Sequence, residues 1–574
     1  MAVTTWDPDD LLARGDGKSW YSLRGGYQSA DDGVVGSGLA AWGNDRNGLL
    51  FAATWRDGHE LDNQAPPDTP RDEQDWNSRN YFLRYTHDTK AGNRLRFTLN
   101  DFKKEYETNI ESLPGNGRFR STTSLQGNDS DENRQLSVDY QFSNSWAHGV
   151  VRAFDVRSST SQLTHEERAA STRPVRLERY FQYDQDFNGL ELNLFRDISL
   201  ARSEHHLGAG IEFLRTDSSE IRDGYQQSLI DGSITNIVLG EDLPVRDFPN
   251  SRTDEVGIFL QDEIGLGDGR WELVPALRYD HYDLDPRPDA IYLEDNPETG
   301  VVAISEDNFS PRLGVLYHVS DAFGLYAQYA NGFRAPPFED ANIGLDIPLF
   351  NIRAIPNPDL KSETSQGIEL GFRYITDSTH LTLAVFDTHY DDFIETKARI
   401  GKDPESGVLL FQSRNIDQAR IYGVDLRLEQ DLAAWSGSLE NWSLNAAAFW
   451  SRGENEENDQ PLNSVSPPQM VLAVSWYSPD KRWNANLSGT YTAEQDRIDE
   501  TAGDRFHTPS WFTADLTASW LINDHFDLRA GIFNLFDETY WRWSDVSLFA
   551  PDNPMIDLLS RPGRNYSVSA RFQW

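Results

Sequence analysis

In the stretch WFTADLTASW at 511–520, Phe512, Ala514, Leu516, Ala518 and Trp520 fall on one side of an extended chain, with Thr513, Asp515, Thr517 and Ser519 on the other. Successive side chains of a strand point to opposite faces, so this pattern describes a strand with one apolar and one polar face. The same period of two recurs at Trp442, Leu444, Ala446, Ala448 and Trp450, and again at Ala485, Leu487, Gly489 and Tyr491. No apolar run approaches the roughly 20 residues of a membrane-crossing helix. A chain built this way folds as a soluble β structure or crosses a membrane with strands.

The breaks between strands separate the two cases. Ten short polar turns fall near Asn44–Gly48, Asp88–Asn93, Ser143–Trp146, Asp197–Ser203, Gly265–Gly269, Val319–Phe323, Ile375–Ser378, Asp431–Asn441, Ser478–Arg482 and Ile522–His525. Between them lie long polar excursions at roughly 56–80, 102–134, 155–180, 216–253, 283–308, 331–366, 391–420, 451–468, 492–510 and 540–564. With a small connection near Gln28–Gly33, this makes eleven loops on one side and ten turns on the other. The spacing predicts an all-β fold: a 22-stranded antiparallel transmembrane β-barrel with short periplasmic turns, long extracellular loops and strands of about 10 residues. A propeller repeats a similar motif every ~40–50 residues, and no such motif is present. A soluble β-rich binding or adhesion protein is the remaining alternative; it would fold without detergent.

Composition agrees with the barrel and excludes other partners. A chain of 574 residues with one large core is unusual, but 38% hydrophobic and 12% aromatic residues suit many half-buried strands. A net charge of −40 argues against nucleic acid, whose phosphates need a basic surface. The absence of cysteine rules out disulfides and thiolate metal sites. At the chain end Tyr566, Val568, Ala570, Phe572 and Trp574 alternate with polar residues. A closing strand of this kind leaves no unpaired edge in lipid.

Several segments resemble one family, the TonB-dependent outer-membrane transporters, and within it the haem and haemoglobin receptors. They are GIFLQDE at 257–263, PALRYDHY at 275–282, SPRLGVLY at 310–317, YANGFRAP at 329–336, NPDLKSET at 357–364, ARIYGVDL at 419–426 and NLFDETYW at 534–541, together with the last strand. The FRAP and NPDL boxes in the seventh outer loop are similar to those that flank the haem-binding loop of haem receptors. The resemblance implies a bacterial outer-membrane receptor for haem or haemoglobin-derived haem. Its partners are then haem or a haem protein, the lipid bilayer and lipopolysaccharide, and, in a full-length parent, the TonB complex. Haem is cargo here, with no intrinsic cofactor. No Ser-His-Asp grouping, phosphate-binding glycine loop or metal-ligand spacing points to an enzyme. A receptor for another iron chelate or nutrient, and a plugless passive or engineered pore, remain open.

The candidate binding residues are Phe333, Arg334, Ala335 and Pro336 in the first box and Asn357, Pro358, Asp359 and Leu360 in the second. Arg334 is suited to a bidentate pair with a carboxylate such as a propionate, or with an acidic neighbour in the barrel. Pro336, Pro337, Pro356 and Pro358 fix φ, which stiffens the loop roots and lowers the entropy lost on capture. Phe338, Leu349, Phe350 and Ile352 make the loop interior apolar, for docking or for packing on neighbouring loops.

Two features depart from the family pattern. Haem receptors commonly offer a His or Tyr from this loop to iron, and residues 333–360 contain neither, so the metal ligand is unassigned. His59, His165, His281, His389 and His507 fall on the long-loop side, and Tyr225, Tyr282, Tyr292, Tyr390 and Tyr540 are alternatives. The family's plug domain and coupling segment have no counterpart before WDPDDLL, which resembles the plug–barrel junction. The expected division is therefore a junction remnant over 1–19 and a barrel over 20–574, without a signal peptide, TonB box or plug in the sequence, excised or engineered in origin.

Overall fold

A computed structural model describes residues 5–574 apart from 116–118, 170–172, 268, 298–299, 348–351, 405–407, 502 and 554. Among the described residues the main sheet has 26 strands; four are segments of two or three residues in the loops, and the other 22 close into an antiparallel barrel. In chain order these are β1 (Ser19–Gln28), β2 (Gly33–Asn44), β3 (Asn47–His59), β4 (Glu73–Asp88), β5 (Arg94–Asn109), β6 (Thr122–Ser143), β7 (His148–Arg168), β8 (Val175–Leu200), β9 (Ser203–Ser228), β10 (Asn250–Leu266) and β11 (Trp271–Arg287). They continue as β12 (Ile304–His318), β13 (Phe323–Arg334), β14 (Glu363–Ile375), β15 (Thr379–Lys402), β16 (Leu409–Asp431), β17 (Trp442–Asn455), β18 (Gln469–Tyr477), β19 (Trp483–Thr492), β20 (Trp511–Asn523), β21 (Phe526–Phe533) and β22 (Asn565–Gln573). The final strand pairs with the first, from Ser22 opposite Gln573 to Gln28 opposite Ser567. Tyr21 and Trp574 exchange backbone hydrogen bonds of 2.9 and 3.0 Å, and their rings stack 5.2 Å apart. The terminal aromatic thus seals the seam.

Alternation sorts the wall into two faces. Leu23, Leu83, Leu136, Leu190, Ile258, Leu277 and Leu370 are exposed on the outside, where lipid covers them. Aromatic pairs collect beside the short turns: Trp271 with Tyr317, Trp442 with Trp476, and Trp483 stacked on Trp520 at 4.7 Å. Amphipathic rings favour the membrane interface, and this row marks its inner edge. The opposite parity lines a polar lumen, where Arg278 reaches Glu212 at 2.9 Å and Asp280 at 2.7 Å.

The strands are longer than the ~10 residues a tilted bilayer crossing needs. β8 and β9 each run 26 residues, and much of the stretches 102–134, 155–180 and 391–420, expected as loops, is paired ladder. Ladder hydrogen bonds join backbone groups and do not require apolar side chains. Above the lipid, polar strands stay paired and add cross-strand ion pairs such as Lys103–Glu132 and Arg134–Asp101, at 2.9 and 2.8 Å. One side of the barrel is therefore a tall wall, and its loops are shorter than the hydropathy implied.

Residues 5–15 line the inner wall near the short turns. The helix α1 (Pro8–Leu12) packs Leu11 and Leu12 against Trp20, Ala41 and Leu50. Glycine permits this approach: a Cβ at Gly48 would lie 2.7 Å from Cβ of Pro8, and one at Gly43 only 2.5 Å from Leu12. Asp7 accepts from Arg84 Nη1 at 3.0 Å and Arg96 Nε at 2.9 Å, and Arg94 bridges Asp9 to Asp88.

Candidate functional site

At the opposite mouth three long loops fold onto one another. The seventh outer connection, 335–362, leaves β13 through Pro336 and Pro337, turns once as a helix (Phe338–Asn342), and then crosses toward β16. Proline at the root fixes φ and cannot extend the ladder, so the chain leaves the wall there. The return segment Ile352–Ala354 runs parallel to Leu409–Phe411. Side chains then fasten it: Gln412 Nε2 donates to Pro356 O at 2.7 Å and Asn357 Nδ2 to Ser413 O at 2.9 Å. Asn415 accepts from Lys361 N and donates to Lys361 O at 2.9 and 3.0 Å. Ser413 Oγ donates to Asp340 at 2.8 Å, and both residues are buried.

The sixth outer connection, 288–303, supplies the partner surface. Its helix (Ala290–Asp295) is capped by Asp289, which accepts from Tyr292 N at 3.1 Å. Tyr292 is fully buried and donates its hydroxyl to Asn342 O at 3.3 Å. Burial, reinforced by the Asp295 charge, pushes the phenol up to about 12, so it remains a neutral donor. Asn342 accepts from Val302 N at 2.6 Å and donates to Val302 O at 3.1 Å, an amide pair that mimics a strand rung.

The fifth connection, 229–249, closes the cluster. Gly344 N donates to Asp247 O at 2.6 Å, and Arg246 pairs with Asp289 at 2.9 Å. Phe248 meets Phe338 edge-on at 5.2 Å over a small core of Leu284, Ile304 and Ala341. A Cβ at Gly344 would come within 2.3 Å of Asn296 Oδ1, so this crossing of loops needs glycine.

The sequence candidates occupy distinct places in this cap. Phe333 and Arg334 are the last rungs of β13, opposite Thr364 and Glu363, so the two boxes share one loop root. The Arg334 side chain is 53% exposed with Nη1 4.0 Å from Glu363, a contact that leaves its guanidinium open to an anion. Ala335 is half-buried, and Pro336 is buried with its carbonyl accepting from Tyr282 at 3.3 Å. Asn357 is the latch described above, Pro358 and Asp359 are exposed, and Leu360 is buried. Of the apolar set, Phe338 is turned into the cap core and is unavailable as an exposed docking surface. Ile352 is described only as part of its short strand, and Leu349 and Phe350 lie outside the described residues.

Each loop histidine faces one carboxylate, except His389, which lies between Asp387 and Glu456. His59 lies 2.7 Å from Asp75, His281 2.9 Å from Asp307, and His507 3.0 Å from Glu500; His165 and His389 have similar neighbours. Among the described residues no group of three His, Asp or Glu could hold a metal ion. Sequence reasoning missed Asp340, Asn342, Gln412, Ser413 and Asn415, whose partners are 40 or more residues away in sequence. Only Asn342 carried a local signal, as an uncharged amide a few residues after the first proline box.

A 22-stranded barrel with a polar lumen and a mouth capped by interlocked outer loops defines the class of large outer-membrane receptor barrels. The family model "TonB dependent receptor-like, beta-barrel" matches residues 19–535, and the chain belongs to this family of outer-membrane proteins, which are transporters and receptors rather than enzymes. Among curated relatives, hemoglobin and hemoglobin-haptoglobin-binding protein A of Haemophilus influenzae is 27% identical over 278 residues, covering 44% of this chain and 25% of that protein. Hemoglobin-haptoglobin utilization protein B of Neisseria meningitidis is 23% identical over 473 residues, covering 75% and 56%. The chain thus spans a quarter to somewhat over half of these relatives. Among solved structures, the copper transporter OprC superposes with a TM-score of 0.72 at 16% identity, covering 97% of this chain and 80% of that one. The Serratia marcescens hemophore receptor HasR, solved with its hemophore HasA and heme, gives 0.68 at 18%, covering 99% and 82%.

Proposed function

We propose that this barrel is the receptor part of a TonB-dependent system that takes haem, free or from haemoglobin, at the cell surface. The observation that carries this reading is the cap itself, built on the FRAP and NPDL boxes, with an exposed Arg334 at its root. A guanidinium at that position suits a propionate, and the proline-stiffened root holds it in place before cargo arrives. Of the curated relatives above, one is named for binding hemoglobin and the other for hemoglobin-haptoglobin utilization, which supports the same cargo. No covalent bond is made or broken: capture precedes movement of the cap, and inward passage draws on the TonB complex.

The test is a titration of haem and haemoglobin against the detergent-solubilised barrel, followed by the same titration with 338–355 replaced by a Gly/Ser linker. Loss of haem binding of at least tenfold is expected, with a smaller loss of three- to tenfold for Arg334→Ala. Equal binding before and after the replacement refutes a role for this loop. A second reading, another iron chelate, rests on the absence of His and Tyr from 333–360; competition by a ferric chelate without haem would favour it.

A further inference from the structure

The fifth outer connection carries a feature the cap does not use. Beyond its buried base, residues 229–237 are all exposed, and four are large and apolar: Leu229 (44%), Ile230 (69%), Ile234 (65%) and Ile237 (52%). Such side chains cost least when buried, and a cluster of them on a monomer's surface marks a contact site. The tip is rigid. Ile234–Thr235 pairs with Gln226–Gln227, Gly232 N donates to Ser228 O at 3.0 Å, and Asn236 Nδ2 donates to Asp242 and to Leu243 O, both at 2.7 Å. Beneath it Val238, Leu243 and Val245 pack on Leu177 of β8 as a foundation. A preordered apolar knob binds without paying a large ordering cost.

Its position excludes lipid. The outward face of β9 is apolar at Ile211 and Phe213 and turns polar at Arg215, which pairs with Asp254. From Phe213 to the end of β9 the chain climbs about 50 Å along the strand at about 3.3 Å per residue, so the knob stands well clear of the bilayer. Its charge excludes a second copy. Residues 223–242 carry Asp223, Asp231 and Asp242 with no Lys or Arg among them, while Glu241 is paired with Arg222 at 2.8 Å; two such knobs repel. A convex, acid-rimmed apolar tip fits a protein surface with an apolar hollow edged by lysine or arginine.

We infer that the tip of the fifth outer loop is a docking knob for the protein part of the cargo, separate from the cap that receives the haem. This inference rests on the haem-protein reading above. The experiment uses the full chain in detergent, with immobilised haemoglobin as one probe and free haem as the other, for the wild type and for Ile230→Ser/Ile234→Ser/Ile237→Ser. The triple variant is expected to bind haemoglobin at least tenfold more weakly while its haem affinity stays within twofold. Asp231→Asn/Asp242→Asn is expected to slow haemoglobin association and flatten its salt dependence. Haemoglobin affinity within twofold of wild type in the triple variant overturns the knob alone, as does equal loss of both probes in a variant whose heat-modifiable mobility shows a folded barrel. A wild type that binds free haem but not haemoglobin also overturns the knob and leaves the haem reading standing; one that binds neither overturns both. If the triple variant does not fold, Ile230→Ser and Ile237→Ser singly, each expected to cost about threefold, decide the matter.

Discussion

The segments at the two mouths of this barrel are held by different physics. At the inner mouth the connections are short, and residues 5–15 are held directly on the wall by Asp7 between Arg84 and Arg96, with side chains 13%, 10% and 15% exposed. At the outer mouth the connections are long, and the loops hold one another chiefly through neutral amides and hydroxyls donating to backbone: Asn342 to Val302, Asn357 to Ser413, Gln412 to Pro356. A sheltered ion pair tolerates no loss of one partner, whereas neutral hydrogen bonds exchange with water at small net cost. The inner mouth is therefore built as a fixed anchor, and the outer one as a cap that can open piece by piece.

Three substitutions test that contrast. Asp7→Ala leaves Arg84 and Arg96 without their shared carboxylate, and residues 5–15 should lose about 3–5 kcal/mol of local stability. Hydrogen exchange of that segment reads the effect; unchanged protection would show that the apolar contacts of Leu11 and Leu12 suffice. Asn342→Ala removes both bonds to Val302 and leaves its half-buried N–H and C=O without their partner, a local cost of about 1–3 kcal/mol. Exchange should rise across 290–304 and 338–345 together, with the barrel ladder untouched. Tyr292→Phe deletes a single hydroxyl bond and should cost about 1 kcal/mol in the same segments.

The pH dependence of that last contact has a defined sign. Tyr292 is raised from its ordinary value of 10 to about 12, so its neutral form is favoured in the folded cap. The stability it contributes is complete below pH 10 and is lost as pH rises from about 10 through 12. In a near-ultraviolet titration the Tyr292→Phe variant should lack one phenol that ionises near 12, not one near 10.

Much of the fold was legible because strand periodicity is a local property. Trp442 to Trp450 and Phe512 to Trp520 state their facing without reference to any other segment, and the alternation of short and long breaks counts the strands. The terminal aromatic strand was equally plain, and Trp574 does stack on Tyr21 across the seam. Strand ends above the membrane were not legible. Polar alternation such as Asn128–Arg134 reads as loop by hydropathy, yet it pairs in register with β5 and β7. Of the candidate site, the roots at Arg334 and Glu363 were recognisable as boxes, but Phe338 belongs to the core of the cap and not to its surface.

The division follows from the range of the interactions. Which face meets lipid, where the chain turns and how many times it crosses depend on neighbours two residues apart, and those were written in the chain order. The outer loops depend on pairs such as Asp340 with Ser413 in the cap and Gln64 with Ser560 in the second and last outer connections, separated by 73 and 496 residues. Whether an asparagine is a solvated loop residue or the rung between two loops is settled by what the closed barrel brings opposite it. A closed ring of 22 strands makes neighbours of segments at opposite ends of the chain, and no local pattern records that.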